Sequence, residues 1–232
     1  MGEKVGYELA DGIATIAMDD GKVNALSPAM LDELSEALDR AESDEAVVIL
    51  TGRETTFSGG FDLKTFQSGD QDAVRKMLSG GARLTERLLS FPNPVVAACN
   101  GNAIAMGSFV LLGCDVRIGA EGDFKLGLNE VALGMTIPWY AIEAARYRLT
   151  PLWFDRCTVT GVLIGPDEAR EAGFLDEVGP LDQVAERALE EARVLAGVSR
   201  SAHIANKLRV RERVLEGVRD GVKRIEGDFS EW

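Results

Sequence analysis

Residues 47–64 read Val47-Val48-Ile49-Leu50-Thr51-Gly52-Arg53-Glu54-Thr55-Thr56-Phe57-Ser58-Gly59-Gly60-Phe61-Asp62-Leu63-Lys64. The first five form a continuous apolar run bounded by Asp44-Glu45 and Gly52, the pattern of a strand covered on both faces. Just upstream, Ser27 is placed to cap a helix whose first position is Pro28, and Met30, Leu31, Leu34, Leu38 and Ala41 recur at helical spacing. Strand formers Ile13, Thr15, Ile16 and Met18 follow the turn residues Asp11-Gly12, so a hairpin is expected to open the chain. A β-α-β crossover is the simplest account of these segments, and it makes the fold α/β.

The unit recurs downstream. Val74, Met77, Leu78, Leu84, Leu88 and Leu89 mark a helix that stops at Pro92, with Gly80-Gly81 as a potential interruption, and Val95-Val96-Ala97-Ala98 is a second buried strand. Gly101 to Cys114 reads as a tight turn feeding a buried helix, and 116–118 and 124–126 as short strands. Helices are expected at 140–148, 151–158, 166–172 and 181–195, so residues 1–195 are assigned to a core and 196–232 to a helical C-terminal region. In that region Ile204, Leu208, Leu215, Val218, Val222 and Ile225 make one apolar stripe with a period near 3.5.

Composition sets outer limits. The 232 residues, 46% of them hydrophobic, can bury a sizeable core, and 38 acidic against 25 basic residues give a net charge of −13, the wrong sign for coating a phosphate backbone. No nucleic-acid partner is expected. One histidine, His203, leaves no His-rich metal site, and Cys99, Cys114 and Cys157 have no spacing that suggests zinc or a redox pair. The longest apolar stretch, Ala103 to Cys114, is well short of the roughly 20 residues of a membrane helix. A cytoplasmic protein without a membrane partner is the expectation. Residues 200–225 carry eight Lys/Arg against three acids, which reads as a solvated face, or alternatively as an anion-binding or subunit-contact face.

Two glycine-punctuated turns follow the buried strands, Ser58-Gly59-Gly60-Phe61-Asp62 and Asn100-Gly101-Asn102-Ala103-Ile104-Ala105-Met106-Gly107-Ser108. Facing one another, such turns can present backbone amides to a ligand oxygen. Neither is a Walker loop or a dinucleotide fingerprint.

These turns, with Val23-Asn24-Ala25-Leu26-Ser27, Pro94-Val95-Val96-Ala97-Ala98-Cys99-Asn100-Gly101, Gly113-Cys114-Asp115-Val116-Arg117 and Gly127-Leu128-Asn129-Glu130-Val131-Ala132-Leu133-Gly134, resemble the crotonase (enoyl-CoA hydratase/isomerase) superfamily in order and spacing from about residue 5 to 175. The resemblance is greatest to its short bacterial hydratase-like members. It implies a ββα spiral core, a C-terminal trimerisation region, a homotrimer or dimer of trimers, and an acyl-CoA substrate. It also implies an oxyanion hole made by the amides of Phe61 and Met106 and an acid/base glutamate at Glu130. The CoA moiety is then expected beside Asn24, Ala25, Leu26, Gly60, Phe61, Asp62, Leu63 and Lys64, with Met106 and Gly107 also in contact. No metal or tightly bound organic cofactor is implied, coenzyme A being part of the substrate thioester.

The family's hydratases use a second glutamate, and its position here is Phe109. One carboxylate can still move a proton between C4 and C2, the chemistry of Δ3,Δ2-enoyl-CoA isomerases. Hydration or isomerisation is therefore the expected activity, with isomerisation alone, or acyl-CoA binding without catalysis, as the alternatives; a purely structural trimer is weaker still. Asp62 is expected to be structural. Trp139 and Tyr140, where the family usually has small residues, are expected with Phe109 to narrow the acyl pocket. Lys207 and Arg211 are expected to offer charge to the CoA phosphates of a neighbouring subunit.

Overall fold

The computed structural model describes residues 4–227. Strands β1 (Val5–Ala10) and β2 (Ile13–Met18) form the hairpin, with Ala10 opposite Ile13. Asp11 and Gly12 both have positive φ, 50° and 74°, as a two-residue turn between twisted strands requires. After β3 (Ala25–Leu26) comes α1 (Pro28–Ser43), where Ser27 Oγ accepts from Met30 N at 3.3 Å and the periodic apolar residues face inward. Then follow β4 (Val47–Thr51), β5 (Thr56–Ser58), β6 (Gly60–Phe61), α2 (Leu63–Gln67), α3 (Gln71–Ser90), β7 (Val95–Cys99), β8 (Asn102–Ile104), α4 (Met106–Gly113), β9 (Val116–Ala120) and β10 (Leu126–Gly127). A 3-10 turn (Val131–Leu133) leads to α5 (Trp139–Arg148), α6 (Pro151–Thr160), β11 (Leu163–Ile164), α7 (Pro166–Ala172), β12 (Glu177–Gly179), α8 (Val184–Ala196), α9 (Arg200–Val210) and α10 (Glu212–Gly227).

A six-stranded sheet in the order β1-β2-β4-β7-β9-β12 is parallel except for the opening hairpin. A second sheet, β11-β10-β8-β5, and the β3-β6 pair stand beside it. The uninterrupted apolar runs of β4 and β7 follow from burial on both faces. Val48, Leu50, Val95, Ala97 and Cys99 point into the main core with α1, α3 and α4, whereas Val47, Ile49, Val96 and Ala98 point into a second layer closed by Val184, Ala188 and Ala192 of α8.

Three sequence expectations are corrected. Gly80-Gly81 does not interrupt α3; a Cβ on Gly81 would lie 2.4 Å from the Phe61 ring and 3.1 Å from Met106 Sδ, so this glycine makes room for neighbours. The strand foreseen at 124–126 is only Leu126–Gly127, because Phe124 turns onto the second layer. The terminal stripe belongs to two helices. The chain breaks at Arg211, and Leu208 is 41% exposed, while Val214, Leu215, Val218, Val222 and Ile225 of α10 enter the main core against α3 and α5. No described helix is long and apolar enough to cross a membrane.

Candidate active site

The two glycine turns are pressed together. Asn24, fully buried at φ 52°, donates its carboxamide to Met18 O, Thr56 O and Phe57 O at 3.0, 3.1 and 3.2 Å, stitching β2 and β5 to the turn before β3. Ser58 Oγ donates to Asn24 O at 2.8 Å and accepts from Gly60 N at 3.2 Å. Gly60 has φ 94°, and a Cβ there would lie 2.9 Å from Ile104 O and 3.4 Å from Met106 N. A Cβ on Gly107 would meet Ser58 O at 2.5 Å. Both glycines are therefore needed for close backbone approach. Ala105 precedes α4 at φ 52° with no capping side chain, so Met106 opens that helix with its first turn uncapped from that side.

Beside these turns lies a cavity of about 440 Å³. Its floor holds Phe61, Ala105, Phe109, Glu130 and Tyr140, and one wall is α3 through Gln71, Val74 and Leu78. Glu130 is the one carboxylic acid among the lining side chains. It is 8% exposed, and its Oε2 has no hydrogen-bond partner among the described residues. Burial pushes its carboxyl up to about 7, only partly offset by its own backbone amide. Its carbonyl accepts from Leu133 N at 3.0 Å and Met135 N at 2.9 Å, which fixes the backbone that carries it. Phe109 and Tyr140 meet edge to face at 6.3 Å, and the Tyr140 hydroxyl donates to Met106 Sδ at 3.4 Å. An apolar recess holding one unpaired carboxyl is suited to moving a proton, because a partner charge would lock that carboxyl in its ionised form.

A family model described as enoyl-CoA hydratase/isomerase matches residues 8–219. The chain belongs to the enoyl-CoA hydratase/isomerase family. It is 41% identical over 190 residues to a probable enoyl-CoA hydratase of Bacillus subtilis (strain 168), across 79% of this chain and 71% of that one. The crystal structure of the probable enoyl-CoA hydratase EchA3 from Mycobacterium tuberculosis H37Rv matches with a TM-score of 0.95 at 45% identity, covering 98% of this chain and 96% of that one. An apo structure of that same Mycobacterium tuberculosis protein, there called an enoyl-CoA isomerase, matches at a TM-score of 0.94 and 44% identity, covering 99% of this chain and 100% of that one. The α/β architecture of this chain is thus that of crotonase-fold enzymes, and its relatives carry both names, the Bacillus subtilis protein that of a probable hydratase and a human mitochondrial relative, 31% identical over 182 residues (77% of this chain, 60% of that one), that of enoyl-CoA delta isomerase 1.

Within this family member, Phe61, Leu63 and Glu130 line the cavity, as do Phe109 and Tyr140. Ala25 and Leu26 pair with Gly60 and Phe61 through β3 and β6, and Lys64 is exposed nearby. Asp62 caps α2, accepting from Lys64 N at 3.2 Å and Thr65 Oγ1 at 3.1 Å, the structural part foreseen for it. The Asn24 carboxamide donates to three carbonyls inside the fold, so this residue holds the shape of the turn before β3. Trp139 is corrected. It is 52% exposed under the Arg224 guanidinium, 5.0 Å from the ring centroid, and only its neighbour Tyr140 reaches the cavity.

Lys207 and Arg211 do not face outward toward a neighbour's ligand. Both are buried on Asp115 of their own chain, with Lys207 Nζ 2.8 Å from Oδ2 and Arg211 Nη2 2.7 Å from Oδ1. Burial alone would raise the Asp115 carboxyl, but Lys207 and Arg211 outweigh it and hold the group below its usual range. Lys207 is pushed down to about 8, by its own burial first, with Arg211 adding to it against the pull of Asp115. The α3 wall of the cavity was not distinguished in the sequence, since a helix face toward a cavity has the same apolar period as one toward a core.

Proposed function

We propose that the protein is an acyl-CoA enzyme of the isomerase type, converting a 3-enoyl-CoA to a trans-2-enoyl-CoA with Glu130 as its single acid/base. The observation that carries this reading is the buried Glu130 carboxyl, whose Oε2 has no hydrogen-bond partner among the described residues, in a cavity lined also by Phe109, the position where the resemblance puts the second glutamate of the family's hydratases. In the proposed cycle the Glu130 carboxylate removes a proton from C2. The electron pair passes into the thioester carbonyl and the C3–C4 double bond as a dienolate, and Glu130 returns the proton to C4 as the C2–C3 double bond forms. The amides of Phe61 and Met106 meet the negative charge on the thioester oxygen. Support comes from the approach of the two glycine turns, and one such donor contributes about 3–4 kcal/mol.

Hydration is the second reading, favoured by the hydratase names of the Bacillus subtilis and Thermus thermophilus relatives. It needs a water oriented by a further acid/base group, and lack of such a group costs about 10²–10⁴-fold. The CoA moiety is proposed to run beside Ala25-Leu26 and Phe61 to Lys64, in a homotrimer or dimer of trimers in the cytoplasm, with no metal or organic cofactor taking part. Leu152, Val159, Val194 and Val210 are 67–78% exposed in the single chain, which supports coverage by further subunits.

Glu130→Gln tests the proposal, because it keeps shape and removes the proton carrier. Turnover of a 3-enoyl-CoA is expected to fall by about 10²–10⁴-fold while saturated acyl-CoA binds as before. Turnover within tenfold of the unchanged protein would overturn it.

A further inference from the structure

The segment after Glu130 is unusual for a surface. All six residues from Val131 to Thr136 are exposed, and Val131, Leu133 and Met135 are large apolar side chains at 40, 56 and 37% exposure. Leu133, Gly134, Met135 and Thr136 also form the mouth of the 440 Å³ cavity. The segment is pinned, since Leu133 N and Met135 N both donate to Glu130 O. An apolar rim is thus tied to the residue that carries the carboxyl.

The inner end of the same cavity is closed. Phe109 and Tyr140 are 1 and 0% exposed, and Tyr140 is backed by α10, where a Cβ on Gly221 would lie 2.4 Å from Tyr140 N. That wall yields only if α10 moves. An apolar chain entering beside Glu130 meets a closed inner end at Phe109 and Tyr140 and a run of apolar side chains outward at Leu133 and Met135.

We infer that the acyl tail runs from Glu130 outward over Leu133 and Met135, and that the substrates are long, linear acyl-CoA thioesters whose distal carbons lie on this rim. The inference rests on the acyl-CoA reading of the cavity given above, and not on which reaction follows. Short acyl chains end before the rim, so the rim discriminates by length.

The test uses saturated hexanoyl-CoA and tetradecanoyl-CoA, which bind without reacting, titrated into the full chain and into Leu133→Ser/Met135→Ser. Both positions are exposed, so the double variant retains the core, which a melting curve checks. Tetradecanoyl-CoA is expected to bind at least about tenfold tighter than hexanoyl-CoA, and the double variant to weaken only the longer ligand, by about tenfold. Equal losses for both ligands, or a change in sedimentation mass, would make the rim a CoA or subunit contact and overturn the inference. Tighter binding of the longer ligand by Phe109→Ala would overturn it too, by showing an inward path. If neither thioester binds, the acyl-CoA reading itself fails, and the inference with it.

Discussion

Glu130 concentrates the functional argument in one unpaired oxygen. With its carboxyl raised to about 7, the basic form increases as pH rises, so kcat/KM for a 3-enoyl-CoA is expected to climb with a midpoint near 7 in a pH profile. The same burial weakens the fold. A carboxyl raised from 4.5 to about 7 binds its proton more tightly folded than unfolded, so its contribution is complete below pH 4.5 and is lost as pH rises through 7. Glu130→Gln should therefore unfold at higher denaturant than the parent at pH 8, by up to about 3 kcal/mol, and match it at pH 4. Equal stability at both pH values would mean that the carboxyl is better solvated than its burial implies. In the sequence only the family resemblance singled out Glu130. Trp139 and Tyr140 show a finer limit, because two adjacent aromatic residues have equal claims until the start of α5 turns one outward and one in.

At the scale of elements, α9 and α10 are anchored by charge as well as by apolar contact. Asp115, between α4 and β9, accepts from Val95 N at 2.8 Å and holds both Lys207 and Arg211 from the far end of the chain. Asp115→Asn would leave two buried cations without their counter-ion and is expected to cost about 3–5 kcal/mol in a urea titration. A loss below 1 kcal/mol would show that water reaches the cluster. This cluster was invisible in the sequence: a run of eight basic residues reads as a solvated face, and nothing local says that two of them turn inward onto an aspartate 92 and 96 positions earlier. The break at Arg211 is likewise not announced by a stripe of period 3.5 running through 204–225. By contrast α1, β4 and β7 were legible, because cap, period and two-sided burial are written in adjacent residues.

Across the whole molecule the C-terminal helix is part of the main core. Val214, Leu215, Val218, Val222 and Ile225 are all buried among α3 and α5, the helices that wall the cavity. Each fully buried aliphatic side chain contributes about 1.5–3 kcal/mol, so removing five exceeds much of a domain's 5–15 kcal/mol. Ending the chain at Val210 is expected to abolish cooperative melting; a sharp transition from such a fragment would show that the preceding residues close their own core. The α/β order and the paired glycine turns could be read from sequence, whereas the closed inner end and open rim of the cavity could not, since they depend on α10 meeting α5 through Gly221. On the proposed mechanism, one carboxylate in this fold favours moving a double bond over adding water. The most direct measurement offers the purified protein a 3-enoyl-CoA and a trans-2-enoyl-CoA of equal length and compares kcat/KM for isomerisation and hydration. Isomerisation is expected to exceed hydration by at least about 100-fold, the lower bound for a missing acid/base group. Hydration as fast as isomerisation, or faster, would contradict the single-carboxylate account.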